Sequence, residues 1–278
     1  MQGLVPTPWL AAELGAPDLV VLDASWHMPA VNRSPREDFE TRHIPGARFF
    51  DIDVLADHDA GSPHMLPAAD LFGAAMGDLG VNTRDRIVVY DDSALRTSAR
   101  AWFMLRHFGA TRVAILDGGL AKWVAEGRPL EGGYPSRREA RFDAVERGGD
   151  VVSKDELVRG LGMAVIDARG ASRFTGEEAD PRPGVAAGHM PGARNLPYSA
   201  MYREDGTFRS PEELKAAFAQ AKVDPAQPFV ASCGSGVTAN SLIFGAHLLG
   251  NGATRLYDGS WSEWGADPAT PKVTGPAD

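Results

Sequence analysis

The residues with the clearest capacity for chemistry stand in one short stretch, Ser232-Cys233-Gly234-Ser235-Gly236-Val237-Thr238-Ala239. Cys233 is the only cysteine in the 278-residue sequence. Converging backbone N–H groups and the partial positive charge of a helix N-terminus stabilise a thiolate, which is the reactive form of cysteine. Gly234 and Gly236 are predicted to give the loop positive φ angles, which a residue without a Cβ atom adopts freely. The stretch therefore predicts a nucleophile, and the alternative is a cysteine that only fills space in an apolar core.

The segments on either side of this stretch predict where the cysteine lies in the fold. The apolar run 228–231 predicts a buried strand, and residues 237–249 follow a helical pattern. Cys233 would then lie between the end of a strand and the start of a helix. Small molecules bind at this edge of parallel sheets, beyond the carboxyl ends of the strands.

Two copies of one pattern account for most of the chain. The first copy contains Val21-Leu22-Asp23-Ala24-Ser25 and His43-Ile44-Pro45-Gly46-Ala47-Arg48, and the second contains Val165-Ile166-Asp167-Ala168-Arg169 and His189-Met190-Pro191-Gly192-Ala193-Arg194. Further on, Leu116-Asp117-Gly118-Gly119 corresponds to Tyr257-Asp258-Gly259-Ser260. The constant order and nearly constant offset predict two domains, at residues 1–135 and 151–278. The intervening residues 136–150 are predicted to be a linker.

Each copy alternates short apolar runs with helical patterns. The predicted strands are 19–24, 47–51, 87–91 and 112–116 in the first copy, and 164–168, 193–196, 229–233 and 254–257 in the second. Helices are predicted at 68–79, 96–108 and 120–126, and Ser153 and Ser210 are predicted N-caps in the second copy. Strands without polar alternation, separated by helices, indicate parallel sheets. The predicted fold class is therefore α/β, with two tandem domains that each have helices on both faces of a parallel sheet.

The composition excludes several classes of function. A net charge of -9 and the lack of a basic block argue against a nucleic-acid partner. No apolar run approaches the roughly 20 residues of a membrane helix. The seven histidines are scattered, so no zinc or other metal site is predicted. No cofactor is expected. A single cysteine excludes an intramolecular disulfide, and the sequence does not start like a signal peptide, so the expected compartment is the cytoplasm.

The paired domains, the two H-[IM]-P-G-A-R motifs and the loop C-G-S-G-V-T resemble the tandem rhodanese-type sulfurtransferases over nearly the whole chain. Within that family the loop is similar to that of the 3-mercaptopyruvate sulfurtransferases. Thiosulfate-using rhodaneses more often have C-R-K-G-V-T, whose basic residues suit a doubly charged donor. The first copy has Tyr90-Asp91-Asp92 where the second has Ser232-Cys233-Gly234. An aspartate cannot carry sulfane sulfur, so the first domain is predicted to be catalytically silent.

The resemblance implies a covalent mechanism. Cys233 would attack the sulfur of 3-mercaptopyruvate, release pyruvate and become a persulfide, from which a thiol acceptor such as thioredoxin, or cyanide, takes the outer sulfur. Four neighbouring residues would bind the donor through the loop: Gly234, Gly236, Val237 and Thr238. The resemblance also implies a proton relay in which Asp53 orients His64, and His64 acts through Ser235. The alternatives are a loop-shaping hydroxyl at Ser235 and a surface histidine at His64.

Two arginines are candidates for binding the carboxylate of the substrate. The resemblance implies that Arg173 and Arg182 bind the carboxylate of the donor, for which the planar guanidinium is suited. The alternative is two solvated arginines. His43 and His189 occur in the same motif of both copies, although only one copy has the cysteine, so both are predicted to be structural. The resemblance also implies a monomer.

The sequence leaves three other functions to consider. A cysteine phosphatase or arsenate reductase needs the loop C-x5-R, but Ala239 stands at the arginine position. Thiosulfate:cyanide transfer is the nearer alternative, with the same nucleophile and another donor. A non-catalytic, sulfur-sensing or binding module is the third, since rhodanese-like domains often lose their cysteine and keep the fold.

Overall fold

The computed structural model of the chain describes residues 3–136 and 138–277. These residues form two compact units, each of which is built from three separate segments of the chain. The first consists of the described residues within Met1–Ala56, Leu66–Arg147 and Glu204–Phe208, and the second of those within Asp57–Met65, Gly148–Arg203 and Arg209–Asp278. No helix within the described ranges combines the length and the apolar character needed to cross a bilayer.

The first unit contains a parallel sheet. Its strands are β1 (Leu4–Val5), β2 (Leu19–Asp23), β3 (Arg48–Phe49), β4 (Arg86–Tyr90) and β5 (Val113–Leu116). They are ordered β1-β5-β4-β2-β3. The helices are α1 (Thr7–Glu13), α2 (Pro35–Thr41), α3 (Ala69–Asp78), α4 (Ser98–His107) and α5 (Gly119–Ala125).

The second unit repeats this arrangement. Its strands are β6 (Val151–Val152), β7 (Ala164–Asp167), β8 (Arg194–Asn195), β9 (Phe229–Ser232) and β10 (Arg255–Tyr257), in the order β6-β10-β9-β7-β8. All its strand pairs are parallel. The helices are α6 (Lys154–Arg159), α7 (Ala171–Thr175), α8 (Pro211–Gln220), α9 (Ala239–Leu248) and α10 (Ser260–Trp264).

The predicted α/β class and the duplication are therefore confirmed. The central strands are buried along almost their whole length, as apolar runs without polar alternation predict for a parallel sheet. Strands β1 and β6 were not predicted, because two-residue strands carry no periodic signal. The short helices α1, α2, α7 and α10 were not predicted either, since they span only five to seven residues.

Two helices of the second unit show how local sequence fixes their ends. In α6 and α8, the side chains of Ser153 and Ser210 accept a hydrogen bond from the backbone of Glu156 and Glu213, whose carboxylates reach back to complete capping boxes. The predicted N-caps are thus confirmed. Both capping boxes satisfy backbone N–H groups that the first turn of a helix leaves unpaired.

The segments near the predicted domain boundary pack differently from what their composition indicates. Residues 138–147 lie in the first unit, where Phe142 is buried with its ring centroid 5.7 Å from that of Phe72. Val145 N donates to Phe108 O at 3.1 Å. Residues 57–65, which fall inside the range predicted for the first domain, cluster with the second unit. The segment carrying His64 is therefore part of the same compact unit as Cys233.

Candidate active site

Cys233 lies at the carboxyl edge of the second sheet. Strand β9 ends at Ser232, and α9 begins at Ala239, so the intervening loop joins a central strand to a buried helix. The Cys233 residue is only 1% exposed. The strand-to-helix position predicted from the sequence is therefore observed, at the edge where parallel sheets bind ligands.

The two glycines of the loop have different surroundings. Gly236 has φ +73°, and a Cβ atom there would lie 2.6 Å from Asp258 O, so both conformation and space require glycine. Gly234 is not among the residues with positive φ, which corrects the sequence-based expectation for this position. A Cβ atom on Gly234 would instead lie 2.9 Å from Nη2 of Arg182. A side chain at Gly234 would therefore displace the guanidinium group of Arg182 from its place beside the loop.

Ser260 holds the cysteine loop from the neighbouring turn. Its Oγ accepts hydrogen bonds from the backbone N–H groups of Cys233 and Gly236, both at 3.1 Å. The same Oγ donates to Tyr257 O at 2.8 Å and lies 4.0 Å from Cys233 Sγ. Trp261 N also donates to Cys233 O at 3.0 Å. These hydrogen bonds therefore hold the loop against the turn at the start of α10.

Other backbone groups of the loop remain available to a ligand. Asn240, fully buried on α9, donates through Nδ2 to the carbonyl oxygens of Gly236 and Val237, at 2.6 and 2.9 Å. Within the part of the chain that the structure describes, hydrogen-bond partners are lacking for the backbone N–H groups of Gly234, Ser235, Val237 and Thr238. Several loop carbonyls are thus occupied while these four amides are free, which is the pattern that favours an anion.

Two arginines meet beside the loop on a single buried carboxylate. Asp180 is 1% exposed in its side chain and binds Arg173 Nη2 at 2.5 Å and Arg182 Nη1 at 2.9 Å. Arg173 lies on α7, and Arg182 lies in the loop that follows that helix. Both guanidinium groups come within 4 Å of the Cβ position of Gly234. The two arginines and one aspartate leave one net positive charge next to the cysteine loop.

His64 and Ser235 are brought together within the second unit. His64 Nδ1 lies 2.9 Å from Ser235 Oγ, within hydrogen-bond distance. His64 is half-buried and has φ +61°, which is unusual for a residue with a Cβ atom. Its segment is closed by a hydrogen bond from Asp57 N to Met65 O at 2.9 Å. Two members of the predicted relay are therefore in contact.

The third predicted member, Asp53, belongs to the first unit. Both of its carboxylate oxygens accept a hydrogen bond from Trp26 Nε1, at 2.9 Å each. Its backbone N–H donates to Asp51 Oδ1 at 3.2 Å. The role of Asp53 in orienting His64 stays a prediction.

The repeated histidines are structural, as predicted. His43 is fully buried, stacks on Phe39 at 4.0 Å and has Nδ1 2.7 Å from Phe39 O. In the same way, His189 stacks on Phe174 at 3.7 Å with Nδ1 2.8 Å from Phe174 O. Each histidine thus makes the same packing contact in its own copy, although only the second copy contains a cysteine.

The first unit has a carboxylate where the second has the thiol. Leu120 N donates to Asp91 O at 3.0 Å, just as Trp261 N donates to Cys233 O. The buried Asp91 side chain accepts a hydrogen bond from the N–H of Ser98, the first residue of α4, at 2.8 Å. Burial raises the pKa of Asp91. This loop therefore contains its own acidic group in place of a nucleophile.

Sequence reasoning missed Ser260 and Asp180. Comparing the copies could have found Ser260, because it stands where the first copy has Gly119 in otherwise matching turns. Asp180 gave no comparable signal, since an acidic residue in a polar loop is usually solvated. Among the described residues, no group of three or more His, Cys, Asp or Glu side chains could hold a metal ion.

Comparisons with known proteins agree with this arrangement. A family model described as "Rhodanese-like domain" matches residues 7–126 and 153–267. The 3-mercaptopyruvate sulfurtransferase of Mus musculus is 42% identical over 272 residues, covering 95% of this chain and 92% of the mouse protein. The thiosulfate sulfurtransferase of Rattus norvegicus is 38% identical over 274 residues, covering 95% and 92%.

A solved structure shows the same similarity in three dimensions. The crystal structure of SseA from Escherichia coli, a 3-mercaptopyruvate sulfotransferase, matches with a TM-score of 0.86 and 38% identity. The match covers 95% of this chain and 100% of the SseA chain. The chain therefore belongs to the rhodanese-like family, as one of its tandem-domain sulfurtransferases.

Proposed function

We propose that the protein transfers sulfane sulfur from 3-mercaptopyruvate to a thiol or to cyanide, through a persulfide on Cys233. The observation that carries the proposal is the position of Cys233 in a loop with unpaired amides, next to a cationic clamp of Arg173, Asp180 and Arg182. The clamp suits the carboxylate of a small donor, and the amides suit the anionic sulfur that forms.

In the first half-reaction, the Cys233 thiolate attacks the donor sulfur, and an S–S bond forms as the C–S bond breaks. The electron pair of the C–S bond goes to the methylene carbon, which leaves as the enolate of pyruvate. The proton of the donor thiol is transferred to that carbon, so that pyruvate and an anionic Cys233 persulfide result. The N–H groups of Gly234, Ser235, Val237 and Thr238 would stabilise the outer sulfur.

In the second half-reaction, an acceptor thiol attacks the outer sulfur and the Cys233 sulfur leaves. The products are a persulfide on the acceptor and the regenerated cysteine; with cyanide, the product is thiocyanate. A small thiol or a protein thiol such as that of thioredoxin would serve as acceptor. The first domain, with Asp91 in place of the cysteine, would take no sulfur.

We propose that His64 and Ser235 carry the proton to the leaving enolate. The His64 Nδ1 to Ser235 Oγ distance of 2.9 Å and the position of Ser235 two residues after the nucleophile support this role. Asp53 stays the third residue of the proposed relay.

Replacing Ser235 by alanine or His64 by asparagine is expected to lower kcat with 3-mercaptopyruvate by about 10²-fold, the usual contribution of a proton-transfer group. Turnover of thiosulfate should fall less, because sulfite leaves without needing a proton on carbon. The measurement is kcat for both donors across pH 5 to 9 (roughly the range in which histidine titrates). His58→Asn is the control, since His58 is an exposed histidine in the same segment. Equal losses with both donors would contradict the relay.

The charge of the clamp favours a monocarboxylate donor. One net positive charge remains on the Arg173, Asp180 and Arg182 group, and Gly234 and Ser235 add none. Thiosulfate carries two negative charges in a smaller volume. Thiosulfate:cyanide transfer is nevertheless the second candidate, because the rat thiosulfate sulfurtransferase is nearly as similar to this chain as the mouse enzyme.

The donor assignment is tested by comparing two reactions of the wild-type protein. Pyruvate release from 3-mercaptopyruvate is measured with an excess of a reducing thiol, and thiocyanate formation is measured with thiosulfate and cyanide. We expect kcat/KM to be at least about tenfold higher for 3-mercaptopyruvate. A higher value for thiosulfate would overturn the donor assignment and leave the nucleophile intact. No turnover with either donor would favour the binding-module alternative.

The cellular compartment and the oligomeric state of the protein are also part of the proposal. A chain with a single cysteine cannot form an internal disulfide, and its one thiol must stay reduced to react, so we place the protein in the cytoplasm. We also propose that the protein acts as a monomer, as the resemblance to the tandem rhodanese-type sulfurtransferases implies.

A further inference from the structure

A cavity of about 290 Å³ opens at the carboxyl edge of the first sheet. Its wall consists of residues at or just after the ends of β2 and β4, of the start of α5, and of α2 with the segment before it. The volume is close to that of small ligand pockets, and this edge is where parallel sheets bind small molecules. The loop that supplies Asp92 to the wall has Asp91 in place of a thiol, so the sulfur chemistry proposed above does not use this cavity.

An arginine bridges two carboxylates in the wall of this cavity. Arg33 donates through Nη2 to Asp92 Oδ2 at 2.9 Å and through Nε to Asp38 Oδ2 at 3.0 Å. These three groups carry one net negative charge. The clamp of the second unit has the opposite composition, because there two arginines bind one aspartate and leave one net positive charge.

The two groups stand at equivalent positions of the repeated domain. Asp38 precedes the phenylalanine that stacks on the repeated histidine of the first unit, and Arg173 precedes its counterpart in the second. Asp92 comes one residue after Asp91, where the second copy has Gly234. The first unit therefore has carboxylates where the second has an arginine and a glycine, and the charge of a suitable ligand is reversed.

His27 adds an acceptor to the same wall. Its side chain lines the cavity and is only 4% exposed. Its Nε2 lies 3.3 Å from Asp38 Oδ2 but has no hydrogen-bond partner within the described part of the chain. A buried polar atom without a partner costs free energy. In a neutral imidazole that carries its proton on Nδ1, this Nε2 would accept a hydrogen bond from a ligand.

Asp23 is a buried carboxylate of the cavity wall whose cationic partner is missing from the repeat. Its counterpart in the second unit, Asp167, forms a buried ion pair with Arg169 at 2.7 Å, but Ser25 stands at the arginine position of the first unit. Burial raises the pKa of Asp23 to about 6. The carboxyl group is therefore still mostly ionised at neutral pH, where a cation nearby would stabilise it.

We propose that this cavity binds a small organic ammonium ion, whose N–H groups donate to the carboxylates of Asp38 and Asp92 and to Nε2 of His27. An ammonium group has three donors and no acceptor, which matches these three acceptors. When Asp23 and Arg42, which also line the cavity, are included, the ionised groups of the wall still leave one net negative charge at neutral pH. The inference goes beyond the proposed function and does not rest on it.

The test is calorimetric titration of the full chain at neutral pH and constant ionic strength. The probe is n-butylammonium chloride, and n-butanol serves as the neutral ligand of the same chain length. We expect a dissociation constant of about 1 mM for butylammonium and binding at least about tenfold weaker for butanol. Equal binding of the two ligands would overturn the proposal, as would the absence of a binding heat at about ten times that concentration of butylammonium.

Three variants test whether the cavity is the binding site. Asp92→Asn and Asp38→Asn each remove one charge from the wall with little change in volume, and either should raise the dissociation constant by at least about tenfold. Two variants are used so that poor folding of one leaves the test intact. The matched control is Glu40→Gln, because Glu40 is an exposed acidic residue of α2 that does not line the cavity. Equal weakening in all three variants would indicate a general attraction of cations to an acidic protein and would overturn the proposal. No sulfur donor is present, so the result does not depend on the proposed function.

Discussion

Replacing Cys233 by serine is expected to lower sulfur transfer by at least about 10³-fold with either donor, because the covalent route then has no nucleophile. Serine occupies nearly the same volume, and the loop keeps its hydrogen bonds to Ser260, since these involve backbone N–H groups. The loss should therefore be one of chemistry, without loss of folding. Pyruvate release and the thermal midpoint of unfolding are measured side by side.

The single cysteine allows a direct check on the intermediate. When the wild-type protein is incubated with donor and no acceptor, its intact mass should increase by one sulfur atom, and the Cys233→Ser variant should show no gain. Sulfur transfer by this variant at more than a few per cent of the wild-type rate would contradict the persulfide mechanism. A persulfide that forms but does not react with thiols or cyanide would instead point to a sulfur-sensing role.

The parts of the site that the sequence predicts are those encoded locally. The Cys233 loop combines a strand, small residues and a helix start within a few positions, so its place in the fold follows from neighbouring residues. The pairing of His64 with Ser235 was predicted only through the family resemblance, since 171 positions separate them in the chain. No local pattern indicates that residues 57–65 cluster with the second unit.

The two glycines of the Cys233 loop differ in a way that the local sequence does not indicate. Positive φ was expected at both Gly234 and Gly236, and it occurs only at Gly236. At Gly234, a Cβ atom would instead come close to the guanidinium group of Arg182. The sequence does not show this difference, since Arg182 is brought near Gly234 only by folding.

Replacing Arg182 by methionine is expected to lower kcat/KM for 3-mercaptopyruvate by about 10²-fold, mainly through KM. The loss corresponds to about 3 kcal/mol, which is typical of two hydrogen bonds to a charged group. Methionine keeps much of the volume of the side chain and removes the guanidinium. The matched control is Arg159→Met, because Arg159 is an exposed arginine in the same unit, at the end of α6. An unchanged KM in the Arg182 variant would show that the clamp does not bind the donor.

Replacing Asp180 by asparagine tests whether its carboxylate affects the choice of donor through its charge or only holds the two arginines in place. Its buried carboxylate holds Arg173 and Arg182 at fixed distances and cancels one of their two charges. In Asp180→Asn the clamp gains a second net positive charge and loses much of its order. If the carboxylate selects the donor through charge, the ratio of kcat/KM for 3-mercaptopyruvate to that for thiosulfate should fall by about tenfold, because a dianion gains more from the added charge than a monoanion. If it only orders the arginines, both values should fall together. We expect the ratio to change, since the Asp180 side chain is nearly inaccessible to water, which weakens the screening of its charge.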